Sequence, residues 1–366
     1  MALAMSPPFR AEHVGSLLRP PELLAKRHAG ASEQELRAAE DAAILEAIRL
    51  QEEVGLQSIT DGEFRRSKYF THFAKAVDGF ATTEGSVTFH DESGEPMRYT
   101  TDVIAGRLRR VRGIATDEFA FVRTHTSRTP KVTLPDPASQ HHFRYQKGVS
   151  DAAYPDLDVL FADVARIYRE ELAELAELGA TYVQLDDVAF PLLCDDRHRA
   201  EVQADGYDPD ELSERYVELT NAALADRPPR LTVAMHLCRG NNQGKWLGEG
   251  DYEPVAEQVF GRVAVDALLL EYDTERAGGF EPLRFLAPDT TVVLGIISTK
   301  TPVLERKEDV LRRIDEASRF VPLERLAVSP QCGFASVEEG NPISPDDQRR
   351  KLELVVDVAD TVWNGR

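Results

Sequence analysis

Residues 231–238 of this 366-residue chain read LTVAMHLC, a continuous apolar run that ends in a histidine and a cysteine. Runs of the same kind are TYVQLDD at 181–187, ALLLEYD at 267–273, TVVLGIIS at 291–298 and LAVSPQC at 326–332. Apolar runs of this length are typical of parallel strands that are buried on both faces. They predict an α/β protein with a parallel sheet.

Further strand candidates and helical patterns extend this alternation along the chain. The additional strand candidates are AEHVGSLL at 11–18, SIT at 58–60 and KVTLP at 131–135. Helical patterns cover residues 33–53, 157–178, 209–225, 252–260 and 306–319, and Gly179 is a typical helix end. Eight alternating units predict a closed (β/α)8 TIM barrel, and we interpret residues 1–366 as one catalytic domain.

One segment interrupts the alternation between the second and third predicted strands. Within it, GSVTFHDESGEPMRYTT at 85–101 has the pattern of a β-hairpin with a glycine-containing turn. We interpret residues 76–129 as an insertion within the barrel rather than as a separate domain.

The composition limits the kinds of partner. Lys and Arg total 43 against 63 Asp and Glu, a net charge of −20, which disfavours nucleic acid and anionic membranes as partners. Three cysteines are too few for a disulfide framework, so a cytoplasmic location is expected. The start MALAMSPPFRAEH lacks the pattern of a signal peptide, and no apolar run reaches the ~18–20 residues that span a bilayer. The sequence is compatible with a homo-oligomer.

Three of the predicted strands end in residues that bind transition metals. They are His236 and Cys238 in AMHLCRGN, Glu271 in LLLEYD and Cys332 in AVSPQCGF. Residues i and i+2 of a strand face the same side, so His236 and Cys238 can bind one ion together. Zinc favours such a mixture of thiolate, imidazole and carboxylate ligands. Because a glutamate oxygen is displaced by a thiol more readily than a thiolate is, we predict a zinc ion that activates a sulfur nucleophile.

Each polar residue taken singly also has a structural explanation. Cys332 could be a small buried apolar residue, and His236 a hydrogen-bonded core histidine. Asp186 could cap a helix, and Glu63 could pair with a neighbouring arginine. Barrel enzymes work at the carboxyl ends of their strands, and seven predicted strands end in polar residues here, which favours a site. Cys194, in PLLCDDRH, has no such context and is interpreted as structural.

The motifs HLCRGN, LLEYDTERAGGFEPLRF and AVSPQCGFAS resemble the cobalamin-independent methionine synthase superfamily. The resemblance covers essentially the whole chain. It is closest to the short stand-alone members, whose single barrel resembles the C-terminal catalytic domain of the longer enzymes. It implies a zinc-dependent methyltransferase that methylates the thiol of homocysteine to give methionine. The implied zinc ligands are His236, Cys238, Glu271 and Cys332.

The resemblance also implies which residues bind the amino-acid part of homocysteine. These residues are Gly15 and Ser16, Glu63 in DGEFRR, and Asp186. The chemistry agrees, because carboxylates suit an ammonium group, and a serine hydroxyl with backbone N–H groups suits a carboxylate.

Three departures from the family pattern affect the side of the methyl donor. The segment TLPDPAS lacks the tryptophan that the family places after strand three. Lys300 in STKTP stands where the family has a proton-donating histidine, and Leu192 stands where it has an acidic residue. Lys300 is therefore predicted to be the catalytic acid. The donor stays open between a methylated folate and methylcobalamin.

Other functions are compatible with parts of this pattern. One is zinc-dependent alkyl transfer to a different thiol, such as one that opens an epoxide, and the carboxylates at Glu63 and Asp186 argue for an amino-acid thiol instead. Another is a protein that binds or stores zinc without catalysis. Such a protein would not need polar residues at the ends of seven strands. A decarboxylase of the related porphyrin-processing barrels would need a basic cluster and no zinc ligands.

Overall fold

The computed structural model describes residues 7–82, 87–89, 97–99 and 101–363. The strands in these residues are β1 Ser58–Ile59, β2 Val77–Thr82, β3 Val87–Phe89, β4 Met97–Tyr99, β5 Asp102–Arg110, β6 Thr129–Pro130, β7 Val132–Pro135, β8 Tyr182–Asp187, β9 Thr232–Leu237, β10 Ala267–Glu271, β11 Thr291–Ile297 and β12 Leu326–Pro330. The helices are α1 Pro21–His28, α2 Glu33–Val54, α3 Thr71–Ala76, α4 Thr116–His125, α5 Pro137–His142, α6 Leu157–Glu177, α7 Ala189–Leu192, α8 Asp196–Ala204, α9 Pro209–Leu224, α10 Glu253–Arg262, α11 Lys307–Ala317 and α12 Pro345–Trp363. Short 3₁₀ turns lie at Ser150–Ala152, Glu275–Ala277, Glu281–Phe285 and Leu323–Arg325.

A parallel sheet of six strands forms the centre of the molecule. Its order is β12-β11-β10-β9-β8-β7, and each neighbouring pair is parallel. Every residue of β7, β8, β10 and β12 is buried, as expected for apolar strands that are covered on both faces. The prediction of an α/β protein with a parallel sheet is confirmed.

Further parallel contacts continue the sheet at both of its edges. β1 pairs with β6, and only Lys131 separates β6 from β7. At the opposite edge, Ala11 forms a parallel bridge with Val328 of β12. The backbone N–H of Leu17 donates to the carbonyl of Gly62 at 3.1 Å, which brings the segment after Ala11 beside the end of β1.

The strand predicted at residues 11–18 is wrong beyond its first residue, because only Ala11 takes part in a ladder with β12. The backbone departs from extended geometry at Gly15, which has a φ of +144°. A Cβ at this position would lie 2.8 Å from Thr133 Cγ2. The segment therefore leaves the sheet at a turn that only glycine accommodates without strain.

The predicted long helices are present, with ends that differ by no more than a few residues. α2 begins with a capping box in which the Ser32 side chain accepts from the Glu35 backbone and the Glu35 side chain accepts in return. α6 ends before Gly179, whose φ of +97° matches the expected helix end. Among the described residues, no helix is long and apolar enough to cross a membrane.

The segment between β1 and β6 contains two antiparallel strand pairs. β2 pairs with β5, and β3 pairs with β4 so that Val87 lies opposite Tyr99. The turn predicted for this hairpin falls in residues 90–96, which lie outside the described residues. The Ile104 backbone N–H donates to the Arg144 carbonyl at 2.8 Å, and the Leu108 N–H donates to the Tyr154 hydroxyl at 2.6 Å. These bonds tie β5 to the body of the protein.

We predict that Glu171 is important for stability because it joins this segment to α6. Its carboxylate accepts from the backbone N–H groups of Ile114 and Ala115, both at 2.8 Å, and pairs with Arg110 at 2.7 Å. Glu171→Ala leaves these buried donors unpaired and should lower the free energy of unfolding by about 3 kcal/mol. Urea denaturation followed by circular dichroism measures the change.

The matched control for this prediction is Glu170→Ala, one residue earlier on the same helix. Glu170 forms an exposed ion pair with Arg166, and exposed pairs contribute roughly 0–1 kcal/mol. Equal losses of stability for the two variants would contradict the role given to Glu171.

Candidate active site

A pocket opens where β8, β9 and β12 end, at the carboxyl edge of the sheet. Its lining includes Asp186 from β8, His236 and Cys238 at the end of β9, and Cys332 directly after β12. Parallel strands bring their carboxyl ends to one edge, so side chains that are far apart in sequence meet there. Several of the polar strand ends that were predicted to meet therefore lie in this pocket, whereas Glu271 and Lys300 are not part of its lining.

His236, Cys238 and Cys332 form a compact group of metal-binding donors. One ligand atom from each residue lies within 4.8 Å of the other two, and all three side chains are buried. The sulfur atoms of Cys238 and Cys332 are 3.9 Å apart. Two thiols and an imidazole in this arrangement could hold a transition metal.

The imidazole of His236 is oriented as a metal ligand would be. Its Nδ1 lies 3.2 Å from the Leu269 carbonyl, and a carbonyl only accepts, so Nδ1 carries the proton and donates. Its Nε2 is buried and has no hydrogen-bond partner. A backbone carbonyl that fixes the tautomer in this way is the usual support of a metal-binding histidine.

The two cysteines of the group have opposite pKa shifts. The hydrogen bond between the two thiols, together with His236, holds the pKa of Cys332 well below its ordinary value despite burial. The same interaction, together with burial, raises the pKa of Cys238. Cys332 is thus favoured as a thiolate, which is the form of cysteine that binds metals.

Glu271, the fourth predicted ligand, lies outside this group. Its Oε1 accepts from Arg276 Nη2 at 2.7 Å and from Lys300 Nζ at 2.9 Å. Its Oε2 accepts from the backbone N–H of Arg239 at 2.7 Å. Burial acts to raise the pKa of Glu271, but the charges of Lys300, Arg276 and Arg239 hold that pKa well below its usual range.

Lys300 lies beside Glu271 and not in open solvent. Its Nζ also contacts both carboxylate oxygens of Asp273, at 3.2 and 2.9 Å. Burial alone would lower the pKa of Lys300, but Glu271 and Asp273 raise it above the ordinary value. The side chain is therefore a firmly held ammonium group near neutral pH.

Glu63 and Asp186 place two buried carboxylates in the same pocket. Glu63 Oε1 accepts from Thr133 Oγ1 at 2.8 Å, whereas its Oε2 is buried without a partner. Asp186 accepts from Gln184 Nε2 at 2.6 Å. Burial, followed by the charge of Glu63, raises the pKa of Asp186 to about 7. A cationic group between Glu63 and Asp186 would offset both the burial of these carboxylates and the repulsion between them.

Gly15 and Ser16 lie next to this carboxylate pair. A Cβ on Gly15 would be 3.3 Å from Glu63 Oε1, so glycine leaves room for that carboxylate. Ser16 lines the pocket, and its hydroxyl oxygen accepts from the Ala335 backbone N–H at 3.4 Å. Gly333 was not predicted, yet a Cβ there would lie 1.9 Å from Ser16 Oγ.

The pocket also has an aromatic wall that was missed from the sequence. Tyr69, Phe70 and Phe143 line it, and the Arg144 guanidinium lies 4.9 Å from the centre of the Phe70 ring. Pro135 lines the pocket as well, at the segment where the family pattern has its tryptophan. These aromatic residues follow β1 and α5 instead of ending a strand, so the search along strand ends did not find them.

The chain is similar to several known proteins. Residues 19–361 match the family model described as cobalamin-independent synthase, catalytic domain. The uncharacterized protein YxjH of Bacillus subtilis (strain 168) is 40% identical over 365 residues, which cover 97% of this chain and 95% of YxjH. The methionine synthase of Pyrococcus abyssi is 25% identical over 82% of this chain and 78% of its own length.

A solved structure from Listeria monocytogenes, described as a candidate vitamin-B12 independent methionine synthase, is also similar. It has 32% sequence identity and a TM-score of 0.75, and the match covers 98% of this chain and 99% of that one. The fold and the site therefore define a methyltransferase of the methionine synthase type. The chain belongs to the family of cobalamin-independent synthase catalytic domains, and the resemblance found in the sequence is confirmed.

We predict that the protein binds one divalent metal ion through the three-donor group. Cys238→Ala and Cys332→Ala should each lower the affinity for Zn²⁺ by at least about 100-fold, because each removes a ligand instead of an outer contact. Cys194→Ala is the matched control, since Cys194 is equally buried but donates only to the Phe190 carbonyl. Chelator competition gives the affinities, and equal losses for all three variants would contradict the assignment.

Proposed function

We propose that this protein is a zinc-dependent methyltransferase that transfers a methyl group to the thiol of homocysteine to give methionine. One observation carries the proposal: a three-donor group with an unpartnered His236 Nε2 shares its pocket with the buried carboxylates of Glu63 and Asp186. The first could bind a metal and the second an ammonium group. Homocysteine carries a thiol and an ammonium group on one short molecule.

The chain's own residues would bind and orient the amino acid. Glu63 Oε2 and Asp186 accept hydrogen bonds from the ammonium group. The Ser16 hydroxyl and nearby backbone N–H groups donate to the carboxylate, and Gly15 keeps the space beside Glu63 open. This orientation points the thiol toward His236, Cys238 and Cys332 and provides much of the rate through positioning.

Zinc held by these residues would lower the pKa of the acceptor thiol, so that its sulfur is a nucleophile near neutral pH. The sulfur forms a bond to the methyl carbon as the bond from that carbon to the donor breaks. The donor keeps the electron pair of the broken bond. The buried walls of the pocket keep water away from the methyl group.

The methyl donor would lie against the aromatic wall of Tyr69, Phe70 and Phe143. Flat rings pack well on aromatic side chains, which supports a methylated folate. Lys300 is the predicted acid for a leaving nitrogen, but its ion pairs raise its pKa and make it a weaker acid. Methylcobalamin would need no acid, so both donors remain part of the proposal.

We further propose that the strands form one closed (β/α)8 barrel in a single domain, with residues 76–129 inserted into it. The six-stranded sheet, the β1–β6 pair and the bridge between Ala11 and Val328 support this closure. The bond between the Leu17 N–H and the Gly62 carbonyl joins the two remaining edges.

One alternative is a different acceptor thiol, including one that opens an epoxide. Such a thiol would use the same metal-binding group but would not need the amino-acid site. The unpartnered oxygen of Glu63 and the raised pKa of Asp186 favour an ammonium-bearing thiol. A protein that only stores metal would not need this carboxylate pair.

Cobalt substitution tests the proposed acceptor directly. Homocysteine added to the Co²⁺ protein should produce a new thiolate-to-cobalt charge-transfer band that saturates. Glu63→Gln and Asp186→Asn should weaken this saturation by roughly 10–100-fold, because charge-assisted bonds to the ammonium group are lost. Their response to 2-mercaptoethanol, which has no amino-acid group, should stay unchanged. Two results would favour the alternative of a different acceptor thiol. One is a charge-transfer band with 2-mercaptoethanol but not with homocysteine, and the other is an unchanged homocysteine saturation in both variants.

The pKa of Asp186 predicts how amino-acid binding depends on pH. The pKa is about 7 in the free protein, and an ammonium group favours the carboxylate form. Affinity should therefore be constant above pH 7 and fall by roughly tenfold per pH unit well below it. Calorimetric titration with methionine, which has no titrating thiol, between about pH 5.5 and 8.5 measures this. Asp186→Asn should remove the dependence, and exposed Asp158→Asn should keep it.

A further inference from the structure

Glu271 is held by contacts that leave neither carboxylate oxygen without a partner. Arg276 and Lys300 donate to Oε1, and the Arg239 backbone N–H donates to Oε2. The Tyr252 hydroxyl also accepts from the Glu271 backbone N–H at 3.0 Å, which fixes the main chain at the same residue. The carboxylate is almost fully buried, so these contacts replace its hydration.

Moving Glu271 toward the three-donor group would break these contacts. Moving this buried carboxylate away removes the ion pair of Arg276 with Glu271 and leaves Lys300 paired with Asp273 alone, which is unfavourable for buried charges. Lys300 is further fixed by Asp273, so it cannot follow Glu271 without losing a second ion pair. The resemblance to the family implies a zinc ligand at Glu271, but the local charges oppose that role in this chain.

We propose that Lys300 and Arg276 act as positioning residues that hold Glu271 away from the metal-binding group. The metal then has His236, Cys238 and Cys332 as its protein ligands, and the acceptor thiol displaces no side chain when it binds. This inference rests on the proposed function, because it assumes a metal in that group. It also gives the lysine of STKTP a function that does not require it to release a proton.

The first experiment compares the visible spectra of Co²⁺-loaded wild type and Glu271→Gln without any thiol. The ligand-field and cysteine charge-transfer bands should be unchanged in position and intensity, because Glu271 is not a ligand. Thermal unfolding monitored by circular dichroism checks that the variant is folded. Altered bands in a folded Glu271→Gln protein would overturn the inference and leave the proposed function intact.

The second experiment releases Glu271 with the double variant Lys300→Met/Arg276→Met. A buried carboxylate without its cations should turn to the metal, so the cobalt spectrum should change and homocysteine should bind at least about tenfold more weakly. Adding Glu271→Gln to the double variant should restore the wild-type spectrum. Lys307→Met, which removes a surface pair with Asp357, is the matched control and should change nothing.

The kinetics of Lys300→Arg and Lys300→Met separate positioning from acid catalysis. Arginine keeps the ion pair with Glu271, so Lys300→Arg should retain the wild-type cobalt spectrum and the wild-type affinity for homocysteine. A Lys300→Met/Arg276→Met protein with unchanged spectrum and thiol affinity but a lower transfer rate would overturn positioning in favour of an acid role. If the wild-type protein shows no cysteine-to-cobalt band at all, the proposed function fails, and this inference fails with it.

Discussion

The register between β8 and β9 is the constraint on which the site depends. In this pairing Asp186 lies directly opposite His236, so the carboxylate proposed to bind the amino acid and the imidazole proposed to bind the metal face the same pocket. A slip by one residue would turn every side chain of one strand to the other face of the sheet. The next pair, β9 with β10, places Leu269 opposite His236, and the Leu269 carbonyl then fixes the imidazole. Backbone pairing thus orients two functional groups at once.

Burial also determines the electrostatics of the site, because carboxylates, thiols and cations lie together away from water. Burial and then the charge of Glu63 raise the pKa of Asp186, whereas the charges of Lys300, Arg276 and Arg239 lower the pKa of Glu271 despite its burial. Asp186 and Glu271 therefore have opposite pKa shifts despite similar burial. Glu63 has Arg66 3.7 Å from its Oε1, but its buried Oε2 has no partner, whereas both oxygens of Glu271 already have partners.

Much of the fold and of the metal group could be predicted from the sequence. Apolar runs of strand length predicted the parallel sheet, and the spacing of His236 and Cys238 predicted a shared ligand face. The segment at 11–18 was harder, because the turn at Gly15 depends on the space beside Thr133 and not on local composition. The aromatic wall was missed for a similar reason, since Tyr69 and Phe143 meet only after the chain has folded.

The sequence by itself determined the class of fold and the family, and it predicted the metal-binding group of His236, Cys238 and Cys332, because periodicity, motif order and side-chain chemistry are local properties. Only the tertiary structure decided which donors come together. It placed Cys332 beside Cys238 and paired Glu271 with Lys300. Whether a carboxylate binds a metal ion or a charged side chain depends on distances and on burial. Lys300 and Glu271 are 29 positions apart in the chain, and their contact follows from the pairing of neighbouring strands β10 and β11.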